Sequence, residues 1–162
     1  MDKKSIIPIV VLILAMVAVS GCVNYTGNGN NTTTVKNFTG GGISMNYPSD
    51  WILNNDTSGM ILLNKMSGVN TQLTVQVMLM SGAMTTNEAI PPGNFTKVSN
   101  STRTIDNVTA KEVIYKSDLL MGSTIFFEKK GRTIIIYYQA PVNEFDQEKA
   151  NFDIMINSIK VQ

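Results

Sequence analysis

The sequence has no histidine, one cysteine and one tryptophan in 162 residues. Each shortage excludes something. Without histidine the chain lacks the commonest ligand for zinc and copper(II), and the commonest general base near neutral pH. With a single cysteine no intramolecular disulfide can form, so core and sheet must supply the stability. Net charge is also nearly absent, with 13 Lys plus Arg against 12 Asp plus Glu. That balance leaves no electrostatic footprint for nucleic acid and no polybasic patch for anionic lipid. A Gly-rich phosphate loop, Cys-X-X-Cys, His-Glu-X-X-His and Gly-X-Ser-X-Gly are all missing. The acidic residues are scattered rather than paired. The expectation is a protein that is not an enzyme and carries no cofactor.

What is present begins with the first 22 residues. Asp2, Lys3 and Lys4 precede an apolar run from Ile6 to Val19, and Val19-Ser20-Gly21-Cys22 closes it. A short charged start, an apolar stretch and then small residues form a secretory signal. The last four residues are similar to the lipobox of lipoproteins, where a lipid joins the cysteine and cleavage leaves it first. Residues 1–21 are thus read as a signal peptide and Cys22 as the lipidation site. The rest becomes a domain tethered to the extracytoplasmic face of the cell membrane. Ile6 to Ser20 is 15 residues, about 22 Å as a helix and short of a bilayer core of roughly 30 Å. Extended to Val23 the run reaches 18 residues, so an uncleaved signal anchor is the alternative. Cleavage removes two cations and one anion, leaving 11 of each sign in 141 residues, enough for one domain with a real core. A neutral domain would be held by its lipid alone, and stable anchoring takes at least two acyl chains or an equivalent.

Residues 22–42 contain Asn-Gly-Asn-Asn-Thr-Thr-Thr and end in three glycines. So little apolar content predicts a coil linker spanning about 25 Å. Eight Asn-X-Ser/Thr sequons occur, at Asn24, Asn30, Asn31, Asn37, Asn55, Asn94, Asn100 and Asn107. They are candidates for N-glycosylation of a surface-exposed protein, or products of an Asn- and Thr-rich composition.

The domain is expected over residues 43–162. Ile43, Met45 and Tyr47 alternate with polar residues, the period of a half-buried strand. Trp51, after the Pro48-Ser49-Asp50 turn, is assigned as a core anchor. Strands are predicted over Met60–Lys65 and Thr71–Met80, with Leu73, Val75, Val77 and Leu79 on one face. Thr86 to Ile90 is at most a short helix, stopped by Pro91-Pro92. Strands over Lys97–Ile105 and Val108–Ser117 meet at Asp106-Asn107, a pair suited to a tight hairpin. Leu119–Lys129 pairs with Thr133–Gln139 across Lys130-Gly131-Arg132, and the second of these, apolar on both faces, is central and covered on both sides. A helix runs from Asn143, its N-cap, to about Ile159, with Phe145, Lys149, Phe152, Ile156 and Ile159 on one face.

These segments carry a family resemblance. Ile-Ser-Met-Asn-Tyr-Pro-Ser-Asp-Trp at 43–51 resembles the strand-Tyr-Pro-X-X-Trp opening of PsbP-like domains. Thr-Ile-Asp-Asn-Val-Thr-Ala at 104–110 resembles their middle hairpin. Gly-Arg-Thr-Ile-Ile-Ile-Tyr-Tyr at 131–138, with a helix ending Ile-Asn-Ser-Ile-Lys at 156–160, resembles their close. The resemblance implies an α/β (α+β) fold, an antiparallel β-sheet with helices packed on its faces as an α-β-α sandwich, of a kind found in archaeal lipoproteins. Photosynthetic members assist photosystem II with its calcium and chloride. This chain lacks the histidines that such metal sites use, so none of those residues is carried over.

One soft-ligand group stands out, Met78-Leu79-Met80 with Met84. Thioethers suit copper(I), and Met78 and Met80 project from the same face of a strand. Methionine is more often a flexible core filler, and packing beneath a helix is the expectation for these three. The functional expectation is a membrane-anchored, non-catalytic binding or accessory module at the cell surface. It would engage an unidentified protein or small molecule and no nucleic acid. The alternatives are a copper(I)-binding protein and an extracellular hydrolase.

Overall fold

Eleven strands and one helix make up the described part of the computed structural model, residues 23–26, 32–55, 59–67, 71–82 and 93–162. The larger sheet has seven strands. They are β4 (Ile52–Asn55), β5 (Met60–Ser67), β6 (Thr71–Ser81), β7 (Thr96–Ile105), β8 (Val108–Lys116), β9 (Leu120–Lys129) and β10 (Arg132–Pro141). Their spatial order is β4-β5-β6-β10-β9-β8-β7, antiparallel throughout. Two meanders thus meet at β6 and β10. The Thr133–Gln139 segment predicted to be central lies in the middle strand of the seven, with Thr133, Ile134, Ile135 and Ile136 all buried.

Tight turns fix the registers. Asp106 and Asn107 take φ of 48° and 63°, and Lys130 and Gly131 take 52° and 71°. Positive φ at both central residues gives the turn twist that matches a hairpin's strands. The second turn is therefore Lys130-Gly131 alone, and Arg132 already belongs to β10. Leu119, expected to open β9, sits outside it and is 79% exposed.

Alternation sends Leu73, Val75, Val77, Ile125, Phe127, Ile134, Ile136 and Tyr138 to one face. That inner face is covered by α1 (Phe145–Asn157) and a four-stranded sheet. The small sheet has the order β1-β2-β3-β11, from β1 (Val23–Thr26), β2 (Thr32–Gly40), β3 (Ile43–Pro48) and β11 (Lys160–Val161). Ile43, Met45 and Tyr47 are buried as their alternation predicts, and Trp51 is an anchor, meeting Phe152 edge-on at 5.9 Å.

Several expectations are corrected. Residues 32–40 are not coil, because β2 pairs with β3 from Val35↔Pro48 to Gly40↔Ile43 and buries Val35 and Phe38. Gly41 and Gly42, at φ 58° and 88°, turn that hairpin. Helix α1 is capped by Glu144, with no side-chain cap hydrogen bond, and Asn143 precedes it. At the other end Ser158 stops it, its hydroxyl donating to the Met155 carbonyl and accepting from the Asn46 N–H. Lys149 is exposed rather than on the buried face, and Met155 is buried there instead. Among the described residues α1 is the only helix, so the α-β-α sandwich becomes a mostly antiparallel β fold with helix on one face. The proposed short helix at Thr86–Ile90 lies outside the described residues.

Candidate functional site

The densest cluster of chemistry-bearing groups lies between the inner face and the C-terminal half of α1. Period-two alternation brings Arg103 of β7, Glu112 of β8, Ser123 of β9 and Tyr138 of β10 together there. Glu112 Oε1 accepts hydrogen bonds of 3.0 Å from both Ser123 Oγ and the Tyr138 hydroxyl, and Ser101 Oγ donates to Oε2 at 3.3 Å. The Arg103 guanidinium lies 3.7 Å from Glu112 and donates to Asp153 at 2.9 Å and to Asn157 at 2.7 Å, both on α1. Burial and the neighbouring Glu112 charge push the Tyr138 phenol well up, so it stays a donor. Burial alone would raise the Asp153 carboxyl, but Arg103 and Lys149 outweigh it and hold it down. These groups satisfy one another. The arrangement is a clasp between helix and sheet rather than an open reaction centre.

A second clasp holds the first turns of α1. Lys65 bridges Asp50 at 2.9 Å and Glu148 at 2.8 Å, while the Ser67 hydroxyl donates to Glu144. A third joins the β7–β8 turn to the chain end. Asp106 takes Lys129, Lys160 at 3.4 Å and the Val161 N–H at 2.9 Å. Burial pushes its carboxyl up, but those three partners win and set it at about 2. Among the described residues no group of acidic or cysteine side chains is placed to hold a metal ion.

The outer face of the large sheet differs. Towards β7, on β8, Tyr115 is fully buried, edge-on to Phe95 at 5.2 Å and tilted against Tyr137 at 5.7 Å. Towards β4 the face opens. Ile52 is 61% exposed, Met66 60% and Met80 39%, with Met60, Leu62 and Met78 half-buried beside them. Met60 stands directly opposite Met78 across β5 and β6, and Ile52 lies beside the Asn64 that separates Leu62 from Met66. A fringe of Gln72, Thr74, Gln76 and Asn64 runs through it, the last accepting from Thr74 at 3.3 Å.

Met78 and Met80 do share a face, where Met78 is half-buried and Met80 39% exposed; the segment expected to carry the covering helix lies outside the described residues. Met84 lies outside the described residues, as do Cys22, Asn30 and Asn31. Asn24 and Asn55 fall within β1 and β4. Asn37, Asn94, Asn100 and Asn107 are exposed, and the Asn37 amide nitrogen donates to Asn46 at 3.0 Å. Sequence reasoning missed Met60. Its place opposite Met78 follows only once the β5–β6 register, counted outward from Ser67↔Thr71, is set.

A sheet pinned to one helix by ionic clasps, with a methionine-edged outer face, defines a class of mostly antiparallel β domain. Within that class the chain belongs to the PsbP-like protein family, whose model matches residues 6–161. Among solved structures it is similar to cyanobacterial PsbP (CyanoP) from Synechocystis sp. PCC 6803, at TM-score 0.57 and 14% identity over 85% of this chain and 98% of that one. It is also similar to LpqN of Mycobacterium tuberculosis, which is involved in cell envelope biogenesis, at TM-score 0.51 and 12% identity over 74% of this chain and 83% of that one. At such identities the likeness shows a shared fold. No curated protein matches the chain.

Proposed function

We propose that this PsbP-like chain is a lipoprotein, cleaved before Cys22 and lipidated there. In this reading it works as a non-catalytic accessory module on the extracytoplasmic face of the cell membrane, docking a partner protein on the open end of its outer sheet face. The observation carrying this is the grouping of exposed Ile52, Met66 and Met80 beside Met60 and Met78. Methionine-rich apolar surface rimmed by amides suits an adaptable protein contact. The cell-envelope role of LpqN agrees with such a location. With β1 beginning at Val23, the anchor would sit next to the small sheet rather than on a long leash.

The test is a pull-down from detergent-solubilised membranes, comparing the wild-type chain with a Met66→Asp, Met80→Asp variant. A partner recovered reproducibly with wild type and lost with the variant is expected. No reproducible partner, or equal recovery by both, overturns the docking reading. Intact mass of the native protein tests the anchor separately: a chain beginning at Cys22 with added lipid, absent from Cys22→Ser, is expected. A chain beginning at Met1 means an uncleaved signal anchor.

A second reading, copper(I) binding, is favoured by one observation, that Met60 brings a third thioether beside Met78 and Met80. Absence of competition between the purified protein and a copper(I) chelator would remove it.

A further inference from the structure

We propose that β7 is a glycan-bearing edge, with N-linked glycans on Asn94, Asn100 and Asn107 blocking its open side from pairing with another strand. An unpaired edge strand presents a row of free N–H and C=O groups and invites a second chain. Among the described residues four strands end the two sheets. Three of them are short, with β1 and β4 of four residues and β11 of two, whereas β7 has ten. Every β7 residue is exposed except Arg103 and Ile105.

The usual defences of such an edge are thin here. One register shift falls between Lys97 and Ser99, leaving Val98 53% exposed, and it disturbs only the start of the strand. Arg103 is turned away into the α1 clasp. From Ser99 to Ile105 no proline or outward charge interrupts the edge.

The sequons fall where that defence is missing. Asn94 lies two residues before β7, Asn100 is within it, and Asn107 is in the turn that follows, all exposed. Their separations of six and seven residues correspond to roughly 20 Å each along a strand, so three glycans would screen its whole length. On the outer face, Met60 and Met66 on β5 lie five strands away, and Met78 and Met80 on β6 four, about 24 and 19 Å at strand spacing. Screening one edge leaves that face clear.

This proposal rests on the extracytoplasmic reading, since N-glycosylation reaches exported chains. The test is peptide mass mapping of the full chain from its native membrane, followed by light scattering before and after enzymatic removal of glycan from the folded protein. Expected are glycan mass at Asn100 and at one or both flanking sites, and an apparent mass doubled by deglycosylation. A deglycosylated Thr104→Pro variant, lacking an outward N–H at the non-hydrogen-bonded Thr104↔Thr109 pair, should stay monomeric. Unmodified asparagine at all three positions overturns the proposal, as does a deglycosylated wild type that remains monomeric. A glycosylated chain still beginning at Met1 would overturn lipidation at Cys22 and uphold this proposal.

Discussion

Asp106 shows how much one carboxylate can hold when the backbone aims it. Its positive φ turns the β7–β8 hairpin, and its side chain closes β11 onto that turn. With its pKa lowered from 3.8 to about 2, its contribution is complete above the unfolded value and is lost as pH falls through the folded one. After allowing for solvent screening, about 1–2 kcal/mol is at stake. Denaturant midpoints at pH 6 and pH 2 should converge for wild type and Asp106→Asn at the lower pH and separate at the higher. A constant separation would mean that the carboxylate charge does not matter. Gly122 acts by being small. A Cβ there would meet the Tyr115 hydroxyl at 2.5 Å and the Tyr138 carbonyl at 2.6 Å. Gly122→Ala should therefore lower stability by about 1–3 kcal/mol through overpacking, seen as a reduced urea midpoint.

At the scale of the element, α1 depends on its clasps. It has no side-chain N-cap bond and no basic residue in its last turn, so Arg103 supplies the cation there from β7. Arg103→Ala leaves Glu112 and Asp153 without their guanidinium, a loss of roughly 2–4 kcal/mol. Amide hydrogen exchange should speed up in residues 153–157 first, with β6 and β10 least affected. Uniform acceleration would show that the clasp is not local.

Elements were legible where their pattern was local. Alternation in Ile43–Tyr47 and the turn residues Asp106-Asn107 needed no tertiary partner to be read. Strand β2 was hidden because Val35 and Phe38 stand an odd number apart in a polar run, so they show no period of two. Its burial comes from β3 and the sheet beyond. The helix end was misplaced for a related reason, since Ser158 leaves the helix to bind Asn46, 112 residues away. The Met60–Met78 pair and the Arg103–Glu112 clasp likewise exist only once registers are set.

At the scale of the molecule, among the described residues, the core and the exposed apolar side chains occupy different faces. The inner face carries the core and all three clasps; the open end of the outer face carries exposed apolar side chains that stabilise little. A variant with Ile52→Asn, Met66→Gln and Met80→Gln should stay within about 0.5 kcal/mol of wild type per position while losing its partner in the pull-down. A large drop in melting temperature would instead assign those residues to the fold.

The final strand has a kinetic consequence. Lys160 and Val161 pair with Ser44 and Ile43, more than a hundred positions back along the chain. Contacts of such separation require loop closure to be met before any pairing rewards it, and they place a protein among slow folders, in milliseconds to seconds. The small sheet cannot be completed until β11 has followed α1 out of the ribosome. A ribosome still translating α1 therefore holds a chain whose β3 is open on one side, and that interval is when a chaperone would find it unfolded.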